Sequence, residues 1–340
     1  MRTRANYGVT GVNQTLSTTS TGGVYTSADQ YFALRAGTFP AVSVYQNYST
    51  PGTYTFIVPA GVTLLSAMAV GGGGAGDDGN SGDGGGGGGS GGSAGYFANL
   101  TVTPGASITV VVGAGGPATT SKGTKAPDGG ASSVTSGTFV MSAPGGIGGS
   151  PYSTSPGASP PSGPSFTNTP VGVTTGGNAG GGGGAGYNGG GGGGGAGGLG
   201  GSGGNGGASI VSYGQYTSGF NGTSGGGGGG GTYTTAGTAS TNNGFSSAAG
   251  GAGQSDTTGG GGGGCATYSA AVPPTAGAAG NGSTSQPSQG GAGGFPGGGG
   301  GGSWDSNTGV ASTGGDGFVR FVWGTNGSGQ RLFPTNAGDT

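Results

Sequence analysis

GGGGGAGYNGGGGGGG, residues 180–195, is the stretch that decides the fold, because it holds two pure glycine runs separated by only four residues. The chain contains seven such runs: Gly71–Gly74, Gly84–Gly89, Gly180–Gly184, Gly189–Gly195, Gly225–Gly231, Gly259–Gly264 and Gly297–Gly302. A pure glycine run can be a flexible linker, or it can be an extended polyglycine II helix that packs beside others of its kind. The nature of the protein depends on which of the two is present.

The runs favour ordered packing. A left-handed threefold helix has no internal hydrogen bonds, and only glycine leaves room for neighbours on all three sides of it. Most runs are five to seven residues long, and the segments between them carry Tyr, Phe, Val and Pro. Charged residues make up 5% of the chain, whereas disordered chains usually carry a high net charge. We therefore predict a polyglycine II slab from about residue 176 to residue 302, with a random-coil linker as the alternative.

A packed slab would not tolerate side chains inside a run. We expect Gly192→Val to prevent packing, because a branched group would occupy the place of a neighbouring backbone. The same change at Gly237, which the sequence places in a loop, is expected to be milder.

Alternating apolar residues predict β-strands before and after the glycine runs. Residues 54–70 and 96–113 each resemble a β-hairpin, with turns at Pro59–Gly61 and Pro104–Gly105. Residues 318–323, FVRFVW, form one more strand, which we expect to pair with the Tyr54–Val58 hairpin region or with the Ser107–Val112 strand. The predicted fold class is mainly β and irregular, with almost no α-helix: a small antiparallel β-sandwich joined to a polyglycine II helix slab.

The composition divides the chain into three parts. Residues 1–50 are ordinary in composition and are predicted to be an attachment or capping segment, in which residues 23–40 favour one short helix. Residues 51–323 form the glycine-rich domain, and residues 324–340 form a C-terminal tail. The first residues, MRTRANYGVTG, have no apolar stretch behind them, so we expect neither a signal peptide nor a membrane span.

The scarcity of charge excludes several classes of function. The net charge is −2 and the chain has no histidine. Because basic clusters are absent, we expect no nucleic-acid partner. The lack of histidine removes Ser–His and Cys–His pairs and most zinc sites. We therefore expect a protein that is not an enzyme, with no catalytic residue, no cofactor and no metal site.

Two features could still carry chemistry. Asp77, Asp78 and Asp83 stand together in GDDGNSGD, residues 76–83, where carboxylates could bind calcium. The spacing is not that of an EF-hand, so a solvated polar loop is the favoured interpretation. Cys265 is the only cysteine, which excludes an intrachain disulfide and predicts a small buried thiol.

Aromatic residues between the glycine runs are the best candidates for a binding site. Tyr213, Tyr216, Tyr233 and Trp304 are predicted to bind a receptor, by stacking on a sugar or a flat surface while nearby Asn and Ser supply hydrogen bonds. Tyr268 belongs to the same set of loop aromatics. The alternative is that these rings pack across the slab and shield its edges.

The order of the motifs resembles a known kind of domain. The motifs are FIVPAGV at 56–62, the run at 71–74, VTPG at 102–105, ITVVVGAGG at 108–116, the later glycine runs and GFVRFVW at 317–323. They resemble the glycine-rich domain of tailed-bacteriophage virion proteins, including tail-fibre tip adhesins, over about residues 54–323. Residues 23–40 and 331–339 are similar to segments in structural proteins of marine and cyanobacterial phages.

The resemblance implies a function. In such adhesins the glycine runs form a polyglycine II sandwich, and the loops between runs recognise host receptors. The chain would then be a non-enzymatic virion adhesin for a host-surface glycan or outer-membrane protein. Its partners would also include other virion proteins and copies of itself, without membrane insertion. It would be made in the host cytoplasm and act extracellularly on the virion. A capsid or tail decoration protein without a receptor, and a self-assembling extracellular filament subunit, are the alternatives.

Overall fold

The computed structural model describes residues 44–79, 84–118, 123–151, 157–187, 189–209, 218–224, 226–227, 229–231, 236–242, 245–253, 259–278, 289–303, 312–324 and 331–334. The chain divides into two units, Met1–Val44 and Tyr45–Thr340, and all described residues except Val44 belong to the second. The short helix predicted within residues 23–40 lies outside the described residues.

The described strands form two five-stranded antiparallel sheets. The first has the order β1 (Tyr45–Tyr48), β12 (Phe318–Val322), β3 (Leu64–Val70), β4 (Ala94–Thr101) and β9 (Thr174–Asn178). The second has the order β2 (Gly52–Ile57), β5 (Ser107–Val112), β6 (Ser132–Ser136), β7 (Phe139–Ala143) and β8 (Ser165–Thr167). A separate two-stranded ladder joins β10 (Thr241–Asn242) and β11 (Phe245–Ser246). No helix occurs among the residues described, and the predicted mainly β fold class is confirmed.

The inner faces of the two sheets share one apolar core. Phe56 of the second sheet stacks on Phe321 of the first, with ring centroids 4.4 Å apart. Phe97 and Phe139 meet edge to face at 5.2 Å. The side chains of all four are buried, because alternate residues of each strand point into the space between the sheets. The sandwich therefore has a conventional core despite the low apolar content of the chain.

The two predicted hairpins are wrong. Residues 54–70 supply β2 to the second sheet and β3 to the first, and residues 96–113 supply β4 to the first and β5 to the second. Each turn therefore crosses from one sheet to the other. The turns are bonded together, because Gly105 N–H donates to Val58 O and Val102 N–H donates to Thr63 O. Alternating apolar residues bury one face of a strand whether its partner lies beside it or across the core, so the pattern did not separate the two arrangements.

The predicted pairing of the last strand is correct for the hairpin region and wrong for Ser107–Val112. β12 lies between β1 and β3, with Val319 opposite both Tyr48 and Ala69, and β3 is the second strand of the region predicted as a hairpin. Tyr54–Val58 and Ser107–Val112 do not pair with β12, since β2 and β5 belong to the opposite sheet. β12 is thus an interior strand, buried along its whole length.

The outer face of the first sheet is covered as well. Met68, Val70 and Phe318 pack there against Leu199, Cys265, Tyr268 and Phe333 from later parts of the chain. The same face buries the side chain of Arg320, whose Nη1 donates to Asn47 Oδ1 at 2.9 Å. The Arg320 guanidinium lies 4.4 Å from the centre of the Tyr45 ring. A charged side chain at this depth is held by a hydrogen bond and an aromatic face.

The glycine runs form an ordered lattice with the period of polyglycine II. The central run, Gly189–Gly195, and Ala196, which follows it directly, show this threefold period in their hydrogen bonds. The N–H groups of Gly191 and Gly194 donate to the carbonyls of Gly86 and Gly89. Those of Gly192 and Gly195 donate to the carbonyls of Gly207 and Gly204. Those of Gly193 and Ala196 donate to the carbonyls of Gly260 and Gly263, and all six distances are 2.8–3.0 Å. Donors three residues apart therefore reach the same neighbouring run, as a threefold helix requires.

The carbonyl groups of the central run reach three further neighbours. Residues 191 and 194 accept from Gly302 and Gly299, residues 192 and 195 from Gly184 and Gly181, and residues 193 and 196 from Gly230 and Gly227. The central run is thus enclosed by six neighbouring segments, which are five of the other pure runs and residues 203–207. From Gly191 to Ala196 the backbone donors and acceptors are paired with other backbone groups, so the predicted ordering of the runs is confirmed for the described glycines.

The lattice is continuous with one end of the sandwich. Glycine segments leave directly after Val70 of β3 and Val112 of β5, and Gly317 leads back into β12. At this junction Gly317 N–H donates to Gly113 O. Hydrogen bonding therefore passes from the sheets into the lattice without a break.

Gly237 is part of the lattice, so its predicted place in a loop is wrong. Its N–H donates to Gly229 O at 2.7 Å, and its carbonyl accepts from Gly250 N–H. A Cβ at Gly237 would lie 2.0 Å from Phe220 O. Because Gly237 is an isolated glycine between Ala and Thr, its sequence context did not reveal this packing.

Candidate functional site

The four predicted receptor-binding residues, Tyr213, Tyr216, Tyr233 and Trp304, all lie outside the described residues. The residues that precede them in the chain are described. Ser209 comes before the segment with Tyr213 and Tyr216, Gly231 before the segment with Tyr233, and Ser303 directly before Trp304. The positions of these three residues are the last described points of the chain before each segment.

All three residues lie at one end of the lattice. A chain of contacts links them: Gly260 N–H to Gly231 O, Gly259 N–H to Gly302 O, Gly86 N–H to Ser303 O, Gly85 N–H to Tyr187 O, and Tyr187 N–H to Ser209 Oγ. Ser303 N–H also donates to the carbonyl of Asp77, which lies seven residues beyond the end of β3. At about 3.1 Å per residue, that places this layer roughly 20 Å from the sheet. We call it the far end of the lattice.

Tyr268 is not part of an exposed binding surface. Its side chain is buried in the cluster on the outer face of the first sheet, and its ring meets Phe333 edge to face at 5.6 Å. Burial raises the pKa of its hydroxyl. For this residue the shielding alternative is correct, because its ring covers the sheet.

Cys265 is buried in the same cluster, as predicted. Burial raises the pKa of its thiol to about 12. The thiol therefore stays protonated at neutral pH and lacks the thiolate that a nucleophile needs.

The acidic pair Asp77–Asp78 is buried in the lattice, so the prediction of a solvated loop is wrong for these two residues. Asp83 lies outside the described residues. Asp77 Oδ1 accepts the Gly79 N–H at 2.8 Å, and its Oδ2 has no hydrogen-bond partner. The described part of the chain holds no group of three or more side chains suited to a metal ion. The lattice buries the pair because the backbone of Asp77 continues a glycine run, with its N–H donating to Gly87 O.

Burial raises the pKa of Asp77 to about 7, with the charge of Asp78 adding to the rise and the Gly79 N–H opposing it. The folded state therefore binds a proton that the unfolded state has lost at neutral pH. Since the folded pKa is the higher one, this stabilisation is full only below the unfolded pKa of 3.8 and is lost as the pH rises through about 7.

We expect the free energy of unfolding to drop by on the order of 2–4 kcal/mol between pH 4 and pH 8, and Asp77→Asn to remove most of that drop. An amide keeps an oxygen for the Gly79 N–H and carries no charge. Urea unfolding at a series of pH values measures this, with Asp128→Asn as a control, since Asp128 is half exposed and pairs with Lys125. A wild-type stability that is flat or rises with pH over this range would contradict the assignment.

A groove of about 390 Å³ opens beside the lattice near the sheets. Its side chains come from Pro117, Thr275, Phe295, Thr313 and Asp316, and glycines form the rest of its wall. Asp316 Oδ1 accepts the Gly115 N–H at 2.9 Å. Thr275 Oγ1 accepts the Phe295 N–H at 2.7 Å. The half-buried Phe295 ring meets Phe318 of β12 edge to face at 5.9 Å.

Sequence reasoning missed this groove. Phe295 and Asp316 were not predicted to be functional, although each stands beside a glycine segment in which side chains are rare. That isolation is the one signal that could have found them. The segments that form the wall are far apart in the chain, so only the lattice brings them together.

Comparison with known families places most of the chain in one family. A family model described as a glycine-rich domain matches residues 49–269. This range includes β2 to β11 and most of the lattice. No curated protein matches the chain.

The described residues contain no helix of the length and apolarity needed to cross a membrane.

Proposed function

Since this chain belongs to the glycine-rich domain family, we propose that it is a non-enzymatic adhesin of a tailed-bacteriophage virion. The lattice is its scaffold. The segments released at the far end bind a host-surface receptor, either a glycan or an outer-membrane protein. The protein is made in the host cytoplasm and acts outside the cell beside other virion proteins.

One observation carries this proposal: the described residues that precede all four candidate aromatics meet at the far end of the lattice. Ser209, Gly231 and Ser303 come from separate glycine runs, yet hydrogen bonds join them in one layer. A rigid scaffold that releases several aromatic-containing segments at one end is the arrangement of a binding surface, because function concentrates in loops held by a stable frame. Tyrosine and tryptophan rings suit such a surface, since they combine apolar area with a polar group.

The low charge of the chain indicates how binding would respond to salt. With seven basic and nine acidic residues in 340, electrostatic steering contributes little. Adsorption to host cells should therefore be nearly independent of ionic strength. Adsorption that collapses on adding salt would instead point to the few charged residues, such as Lys122, Lys125 and Asp128.

Alanine variants of Tyr213, Tyr216, Tyr233 and Trp304 test the proposal. Truncating a ring at the centre of the site should weaken adsorption of the purified protein to host cells by about 1–3 kcal/mol, with the melting temperature unchanged. Val171→Ala is the control, because Val171 is fully exposed in the turn between β8 and β9, away from the lattice.

If all four variants adsorb like the wild type, the far end is not the binding surface, and the decoration alternative gains support. If the wild type adsorbs to no cell and forms fibres by itself, the filament alternative replaces the adhesin.

A further inference from the structure

We infer that the groove between Phe295 and Asp316 binds a neutral pyranose ring of a cell-surface glycan. The inference deepens the proposed function, on which it rests for the source of the sugar. The site differs from the far end, because it lies beside the sheets and every residue that lines it is described.

Phe295 supplies an apolar platform of fixed orientation. Phe295 is partly buried and lines the groove, and its ring is held edge to face against Phe318. Two hydrogen bonds join its backbone to Thr275. The Phe295 N–H donates to Thr275 Oγ1, and the Thr275 N–H donates to Phe295 O, each at 2.7 Å. A ring held in this way can stack on the C–H face of a sugar with little loss of conformational entropy.

Asp316 supplies acceptors for sugar hydroxyl groups. Its Oδ1 accepts the Gly115 N–H and its backbone carbonyl accepts the Gly297 N–H at 2.8 Å, so the residue is held from both sides. Its Oδ2 takes no hydrogen bond from the described residues and can accept from a ligand. Hydrogen bonds to an ionised carboxylate are stronger than those between neutral groups.

Hydroxyl groups and bare backbone complete the site. Thr275 Oγ1 accepts the Phe295 N–H and can donate its own proton to a ligand, and the exposed Thr313 adds a second hydroxyl to the lining. The remaining wall is glycine, including Gly293 and Gly315, so a ligand can approach the peptide groups closely. The volume of about 390 Å³ falls within the range of small-ligand pockets.

The charge of the groove selects among glycans. Asp316 is the only ionisable residue in its lining, and no basic side chain is present there. A carboxylated or sulfated sugar would meet like charge, whereas a neutral sugar can give two hydroxyl protons to the carboxylate. An extended peptide could also enter the groove, but it would make less use of the carboxylate and the aromatic face together.

The test uses the purified full chain on an array of neutral glycans, acidic glycans and unrelated peptides, followed by calorimetry with the best ligand. We expect binding to neutral glycans only. Asp316→Asn should weaken it about tenfold or more, because the ionised acceptor is lost while an amide oxygen still accepts the Gly115 N–H. Thr313→Ala should weaken glycan binding severalfold. Because Thr313 is exposed, this variant tests the groove even if Asp316→Asn fails to fold.

Asp128→Asn is the matched control, because Asp128 also accepts a backbone N–H, from Gly148, but does not line the groove. The inference is overturned if the wild type binds no neutral glycan, if it binds peptides instead, or if Asp316→Asn and Thr313→Ala both bind as the wild type does. Cell adsorption that is lost in the four aromatic variants but kept in these two would refute the groove and leave the proposed function standing. If the protein binds neutral glycans but adsorbs to no cell, the groove is supported and the proposed function is refuted.

Discussion

Gly192→Ala is expected to prevent folding of the lattice, with a loss of more than about 3 kcal/mol of stability. A Cβ on Gly192 would lie 2.0 Å from Gly230 O and 2.7 Å from its carbonyl carbon, a distance at which the run must move. The neighbouring atoms are backbone, so no flexible side chain can give way. Movement would break the bond from Gly192 N–H to Gly207 O and the bond from Gly184 N–H to Gly192 O. Gly192→Val, with a branched side chain, should be worse still.

The control for this prediction is Gly163→Ala. Gly163 is exposed, a Cβ at this position would have no atom within 4 Å of it, and the residue does not need a positive φ. It also precedes Pro164 in an extended segment, where alanine is allowed. Thermal unfolding monitored by calorimetry should therefore show a normal transition for Gly163→Ala and a lost or strongly lowered one for Gly192→Ala. Equal melting temperatures would disprove the packed lattice.

The second large effect should come from ending the chain at Gly317. This removes β12, so β1 and β3 both lose the strand that joins them. Phe56 also loses its stacking partner Phe321 and its contact with Trp323. Two open sheet edges beside an uncovered apolar core favour pairing between molecules. We expect an aggregated product with no cooperative unfolding.

A chain ending at Pro334 separates this effect from general intolerance of truncation. It keeps β12 and also Phe333, which packs against Tyr268. This longer product should elute as the full chain does in size-exclusion chromatography and should melt in one transition. A soluble, cooperatively melting chain ending at Gly317 would show that β12 is dispensable.

Much of the local structure could be predicted. The strands within 54–70, 96–113 and 318–323 lie close to their observed positions, because period-two apolar patterns are local. β6, β8 and β9 were not predicted, since they are short and rich in Ser, Thr and Gly. β1, with the sequence YQNY, and β7, with the sequence FVMSA, are also short and were not predicted either. Strand pairing was misjudged for a different reason. Partners distant in the chain leave no mark on the pattern of either strand.

The candidate sites also differ in how much of them could be predicted from the sequence. The four aromatics were predicted from residue type alone, and the structure adds the positions of Ser209, Gly231 and Ser303, the described residues before their segments. The burial of Asp77 and Asp78 could not be read from a polar stretch, because it results from runs far along the chain that pack around them. The groove at Phe295 and Asp316 exists only where separate glycine segments meet.

The sequence by itself determined that the runs could pack on all sides, because the absence of a Cβ is a property of each glycine and holds whatever its neighbours are. Only the tertiary structure decided which runs are neighbours and which glycine can be replaced. Ala196 shows the difference: it continues the central run, yet its methyl group is accommodated in the cluster on the outer face of the first sheet. Two residues earlier, a Cβ on Gly194 would lie 2.0 Å from Gly181 O, where no methyl group fits unless a neighbouring run moves. Six neighbouring segments must share one register around the central run. That register depends on long-range hydrogen bonds, which no local stretch of sequence encodes.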